Sequence, residues 1–176
     1  MVELNYIVAL LALLIYVPIL FLRIISTRFT SFFMHVHAQK KKDYAVEYLL
    51  GVNYFIMMLL FLITNIAASG TLLYTTIMLY ILSLLITFSG YYTFYKAQPK
   101  TLITKWPFNI SRNPTYFFGL VALSSLALLT ASPIHAILIL LQFILTHHVI
   151  LAEEAYCSEK YGKEYAAYTK RVRRYL

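Results

Sequence analysis

Five apolar runs take up most of this chain. They extend from about Tyr6 to Leu22, Tyr48 to Ala68, Thr71 to Tyr95, Tyr116 to Ala131 and Ile134 to Ala152. Each is near the ~20 residues that a helix needs to cross about 30 Å of hydrocarbon. Inside a bilayer only helices and closed barrels satisfy their own backbone polar groups. Of the 176 residues, 61% are hydrophobic and 12% are charged, against about a quarter charged in an average soluble domain. One soluble core of this length cannot hide that much apolar surface. The expectation is an all-α integral membrane protein, a single domain over 1–176, with about five transmembrane helices. Residues 1–95 supply three of the spans. The composition excludes disorder, a nucleic-acid-binding arm and a disulfide scaffold. The single cysteine, Cys157, forbids an internal disulfide and a multi-cysteine zinc site.

Pro18 is expected to kink the first run. That run lacks a basic leader, and Arg23 and Arg28 follow it, so it does not read as a cleavable signal peptide. Ala67-Ala68-Ser69-Gly70 and Thr130-Ala131-Ser132-Pro133 are short connections that predict antiparallel hairpins. All fifteen Lys and Arg residues fall in three other segments: Arg23 to Glu47, Lys96 to Thr115, and from Glu153 onward. With five spans these segments share one side. The positive-inside rule makes that side cytoplasmic and puts the N-terminus outside. The net charge of +8 then faces anionic lipid rather than nucleic acid. Tyr161, Tyr165 and Tyr168 recur at helical spacing among lysines, which predicts an amphipathic C-terminal helix along the membrane surface.

Polar residues concentrate in the second half. A long loop with three prolines, Pro99, Pro107 and Pro114, leads into the fourth run. Loops of this length in a small protein usually carry function. Arg112-Asn113-Pro114 reads as a helix start, with Pro114 suited to the first turn. Free N–H groups there, beside Arg112, can hold an anion; an ordinary helix start reads the same way. Glu153 and Glu154 close the fifth run, where the helix dipole disfavours carboxylates and the apolar layer makes them costly. A cation should therefore lie near them: Arg112, a loop lysine or a positively charged ligand. His147 and His148 lie within the fifth run, and the seven-residue step from His147 to Glu154 places those two on one helix face. His35 and His37 have no supporting ligand pair, so no metal is expected.

The stretch from Lys100 to Tyr116, then Glu153-Glu154, then Tyr161-Gly162-Lys163-Glu164-Tyr165 and Tyr168, resembles the isoprenylcysteine carboxyl methyltransferase and phospholipid methyltransferase families. Their shared pattern runs Leu-Val-Thr, Arg-His-Pro-x-Tyr, a helical hairpin, Glu-Glu and an aromatic-Gly-x-x-Tyr-x-x-Tyr tail. Leu102-Ile103-Thr104, Arg112-Asn113-Pro114-Thr115-Tyr116, the turn at Ser132-Pro133, the glutamate pair and Arg171-Val172-Arg173 match it in order. The match spans about half of the chain. The resemblance implies a five-helix enzyme binding S-adenosylmethionine at the cytoplasmic face, with residues 96–176 as the cofactor-binding half. By position, Lys100, Leu102, Ile103, Phe108, Asn113, Pro114, Tyr116 and Glu153 would form the cofactor site. A lipophilic or lipidated substrate would arrive from the bilayer.

Three positions depart from the pattern. Asn113 replaces the motif histidine, Phe108 stands where tyrosine is common, and Val149 replaces an arginine associated with a substrate carboxylate. Catalytic candidates are Arg112, as a cation for a carboxylate acceptor, and His148 or Glu154, as groups that relieve an amine acceptor of its proton. Two alternatives accompany this reading. Membrane sterol reductases end in a related motif and use a nicotinamide cofactor. A non-enzymatic membrane scaffold could keep the architecture without the chemistry.

Overall fold

The computed structural model describes residues 6–15, 41–97 and 101–176. These form five α-helices, and no strand occurs among the described residues. They are α1 (Tyr6–Ile15), α2 (Lys41–Ile63), α3 (Gly70–Lys96), α4 (Pro114–Thr130) and α5 (Pro133–Arg171). Pro18, His35, His37 and Lys100 lie outside the described residues.

Among the described residues three helices are long and apolar enough to cross a membrane: Ala45–Ile63 within α2, α3, and α5. α1 and α4 are shorter apolar helices, so fewer than five of the expected spans are clear, and the rest of the first run lies outside the described residues. At 17 residues α4 is short, about 26 Å at 1.5 Å per residue, because Pro114 opens it and a left-handed Ala131 closes it. The described part of α1 is shorter still.

The order of packing also differs from two simple hairpins. α3 packs chiefly on α4, α2 on α5, and α4 on α5. The turn after α2 is drawn toward the far end of α4, where the Ala67 and Ala68 N–H groups donate to the Leu129 carbonyl at 2.9 and 3.0 Å. The α3–α4 contact is close because residue 90 is glycine. A Cβ there would stand 2.6 Å from Thr115 Cγ2. α1 is fastened by two phenols: Tyr80 donates to the Leu11 carbonyl at 2.7 Å, and Tyr54 donates to the Ala12 carbonyl.

The core joins Ala12 and Ile15 of α1, Met57 and Phe61 of α2, Tyr80 of α3, and Ala122, Leu123 and Leu126 of α4. The outer faces are apolar too, with Phe55, Ile63, Leu82, Leu85, Ile137 and Leu140 exposed. A surface of that kind suits lipid rather than water.

The tail is helical and amphipathic, as expected, and is set off by a kink. α5 continues past Glu153 and Glu154 and breaks its helical geometry at Gly162, at φ +48° and ψ −118°. Glycine lacks the Cβ that would make this conformation costly. After the bend Tyr165 and Tyr168 are buried, while Lys163, Glu164 and Lys170 stay exposed. The tyrosine face is turned inward over a cavity.

Candidate active site

The cavity has a volume of about 340 Å³, within the range of small-molecule sites. One end is closed by the loop before α4 and by the last turns of α5. Leu102, Ile103 and Phe108 of the loop line it, with Tyr161, Tyr165 and Tyr168 of α5. The loop is pinned at several points. Thr93 donates to the Trp106 carbonyl at 2.8 Å, and Tyr168 donates to the Phe108 carbonyl at 2.6 Å. The longer contact from Tyr161 to the Thr101 carbonyl is 3.5 Å. The loop's own turns close through Phe108 N–H to Lys105 O and Ile110 N–H to Pro107 O.

At the start of α4, Pro114 occupies the first turn and Asn113 the cap position. Asn113 does not cap with its side chain. Its amide donates instead to Glu154 Oε1 at 2.9 Å. Arg112 meets the same carboxylate with two prongs, Nε to Oε1 at 3.1 Å and Nη2 to Oε2 at 3.2 Å. Its Nη1 donates to the Val172 carbonyl at 3.1 Å and, more weakly, to Thr169 O. Arg174 completes the cluster, donating to Glu154 Oε2 from Nη2 at 2.9 Å. Glu154 in turn holds the Arg174 guanidinium above its ordinary pKa. Charge-assisted bonds of this kind are short and strong. They resolve the cost of an acidic pair at this depth: Glu154 is neutralised by protein cations.

Glu153 is treated differently. It lines the cavity and accepts a hydrogen bond from the Tyr116 phenol at 2.5 Å. Tyr116 sits in the first turn of α4. Tyr91 of α3 and Glu47 of α2 line the same cavity. This wall therefore offers carboxylates and phenols to an occupant, beside aromatic and aliphatic surface from Phe94, Phe108, Leu102 and Ile103.

Of the residues selected from sequence, Leu102, Ile103, Phe108, Arg112, Asn113, Tyr116, Glu153 and Glu154 meet at this cavity. Pro114 is buried behind it as the helix opener. His148 is not brought to it: the side chain is exposed, and its Nδ1 contacts the Ile144 carbonyl of its own helix at 2.8 Å. Val149 and Glu153 face the cavity one turn apart, and one residue of offset rotates His148 about 100° away. His147 meets the C-terminal residues, its Nδ1 lying 2.6 Å from the Tyr175 hydroxyl. Burial holds the Tyr175 phenol above its ordinary pKa.

Sequence reasoning missed the wall supplied by α2 (Glu47, Leu50, Gly51 and Tyr54) and the polar pair Gln142 and Thr146 of α5. Glu47, Gly51 and Tyr54 are spaced by four and three residues, the spacing of one helix face. That was the available signal.

A family model described as phospholipid methyltransferase matches residues 63–164. No curated protein and no solved structure matches the chain. The matched segment holds the loop, the start of α4, and Glu153 and Glu154.

Proposed function

The chain belongs to the phospholipid methyltransferase family, and from that premise we propose that it transfers a methyl group from S-adenosylmethionine to a lipophilic acceptor resident in the membrane. The observation that carries this reading is the convergence of the loop, Tyr116 and Glu153 on one cavity inside the matched segment. The chemistry of the lining fits the cofactor. Carboxylates and phenols suit a sulfonium, an ammonium and ribose hydroxyls, and the aromatic and aliphatic loop residues suit an adenine ring.

S-adenosylmethionine supplies an electrophilic methyl group that an acceptor takes by in-line displacement, so the protein's part is placement and exclusion of water. Glu153, fixed by Tyr116, offers a negative charge to a cationic group. Leu102, Ile103 and Phe108 pack against apolar surface. Arg112, Asn113 and Arg174 hold the start of α4 against Glu154 and so set where Tyr116 stands.

The acceptor is better read as an amine than as a carboxylate. A buried carboxylate without a cation bears an uncompensated desolvation cost. Position 149 is valine and buried, His148 is turned away, and Arg112 is engaged by Glu154. His148 and Glu154 are accordingly set aside as proton acceptors. Glu47, which lines the cavity from α2, is assigned to receive the proton that an amine sheds on methylation.

The placement in the membrane follows the charge distribution: N-terminus outside, C-terminus and cavity on the cytoplasmic side. Titration of the detergent-purified protein with S-adenosylmethionine and, separately, with a nicotinamide dinucleotide tests the reading. Saturable binding of the first alone is expected. Binding of the nicotinamide alone, or of neither, contradicts it.

A further inference from the structure

Away from Glu153, the cavity continues between α2, α4 and α5 along apolar residues, among them Tyr54, Leu123 and Val149. Two polar side chains interrupt that surface. Gln142 and Thr146 line the cavity one turn apart on α5, and each is only 4% exposed. They precede Glu153 by eleven and seven residues, roughly 16 and 10 Å along the helix at 1.5 Å per residue. Buried polar groups at such depth are costly unless bonded.

Half of Gln142 is accounted for. Asn53 of α2 donates to its Oε1 at 2.6 Å and also to the Leu138 carbonyl at 3.1 Å. This fixes the amide so that its NH2 group is the part left over. Among the described residues nothing accepts from that NH2. The Thr146 hydroxyl is unusual as well. Thr64, Thr76, Thr87, Ser124 and Ser125 each return their hydroxyl to the carbonyl four residues back. Thr146 makes no such bond among the described residues. Asn53 Oδ1, buried behind the pair, has no partner among them either. The α2–α5 contact is thus furnished with more polar capacity than the helices themselves use.

We infer that Gln142 and Thr146 form a donor subsite for a neutral oxygen of the acceptor, a carbonyl in the linkage between a lipid's polar head and its chains, with Asn53 as the residue that orients Gln142. Both groups donate, neither is charged, and the surrounding wall is apolar. That combination fits an ester carbonyl and not a phosphate or a carboxylate. The inference rests on the methyl-transfer reading, since it assigns the far part of the same cavity to the acceptor and the Glu153 end to the cofactor.

The test uses the full chain in detergent and native mass spectrometry, titrating diacyl and dialkyl phosphatidylethanolamine of equal chain length. Wild type should bind the diacyl lipid more tightly, by about fivefold for one neutral hydrogen bond and more for two. Thr146→Val keeps the side-chain shape and breaks no bond made within the protein, so it should fold and lose part of the preference. Gln142→Leu should lose most of it. Equal binding of the two lipids by wild type, or a preference unchanged in both variants, overturns the subsite. S-adenosylmethionine affinity, read on the same samples, should stay within about twofold in both variants. If wild type binds no S-adenosylmethionine while the preference and its loss persist, the methyl-transfer reading fails and the carbonyl subsite stands.

Discussion

Arg112 and Glu154, 42 residues apart in the chain, meet as a two-pronged ion pair with side chains that are each 12% exposed. The pair joins the start of α4 to the end of the apolar part of α5. It places Tyr116, four residues after Arg112, within 2.5 Å of Glu153, the residue before Glu154. The two neighbouring carboxylates have different partners. Glu154 is held by Arg112 and Arg174, and Glu153 accepts from Tyr116.

Removing one member of a buried pair leaves the other uncompensated. Arg112→Ala should therefore lower stability by about 2–4 kcal/mol in a detergent denaturation series. Arg174→Ala, whose side chain is 34% exposed, should cost about 1 kcal/mol or less. Equal effects of the two would contradict the division of labour around Glu154.

The approach of α3 to α4 depends on Gly90. Gly90→Ala should cost about 1–3 kcal/mol through overpacking against Thr115 Cγ2. The double variant Gly90→Ala/Thr115→Ser removes that methyl group and should recover most of the loss. Additive losses would show that the contact is not the cause.

The bend at Gly162 turns Tyr165 and Tyr168 onto the cavity. Gly162→Ala forces a side chain into a conformation that glycine alone adopts readily, at a cost of about 1–3 kcal/mol. Limited proteolysis should then cut the loop around Trp106 faster, because Tyr168 no longer holds the Phe108 carbonyl. Tyr168→Phe should produce the same acceleration with a smaller loss of stability, about 1 kcal/mol. An unchanged cleavage rate in both variants would count against the bend as the loop's fastening.

The loop, the start of α4 and the glutamate pair were legible in the sequence. Each is a compact local pattern, and the cost of two carboxylates beside an apolar run already demanded a cation nearby. Arg112 as that cation was among the candidates. Arg174 as the second was not, because a basic chain end has no local signal of folding back. His148 lies on the outward face of α5, since one residue of offset from Val149 rotates it about 100° around the helix. The α2 wall was invisible for a related reason. Which face of one apolar helix meets another is decided by long-range packing, such as the Gly90 contact and the pinning of Ala67 and Ala68 to Leu129. The five apolar runs correspond to α1 to α5, of which α2, α3 and α5 are long enough to cross a membrane among the described residues.

The charge distribution predicts the orientation of the chain. A reporter fused after Leu176 should be cytoplasmic, as should one inserted in the loop near Lys105. An external signal at either position would refute both the orientation and the cytoplasmic placement of the cavity.

The central claim is that Glu153 faces a cationic cofactor, and calorimetric titration with S-adenosylmethionine tests it most directly. Glu153→Gln keeps the shape of the side chain and removes the charge. Wild type should bind. The variant, folded by its unfolding profile, should bind about 10- to 150-fold more weakly, the loss of one charge-assisted contact of roughly 1.5–3 kcal/mol. Unchanged affinity in a folded Glu153→Gln protein would contradict the account.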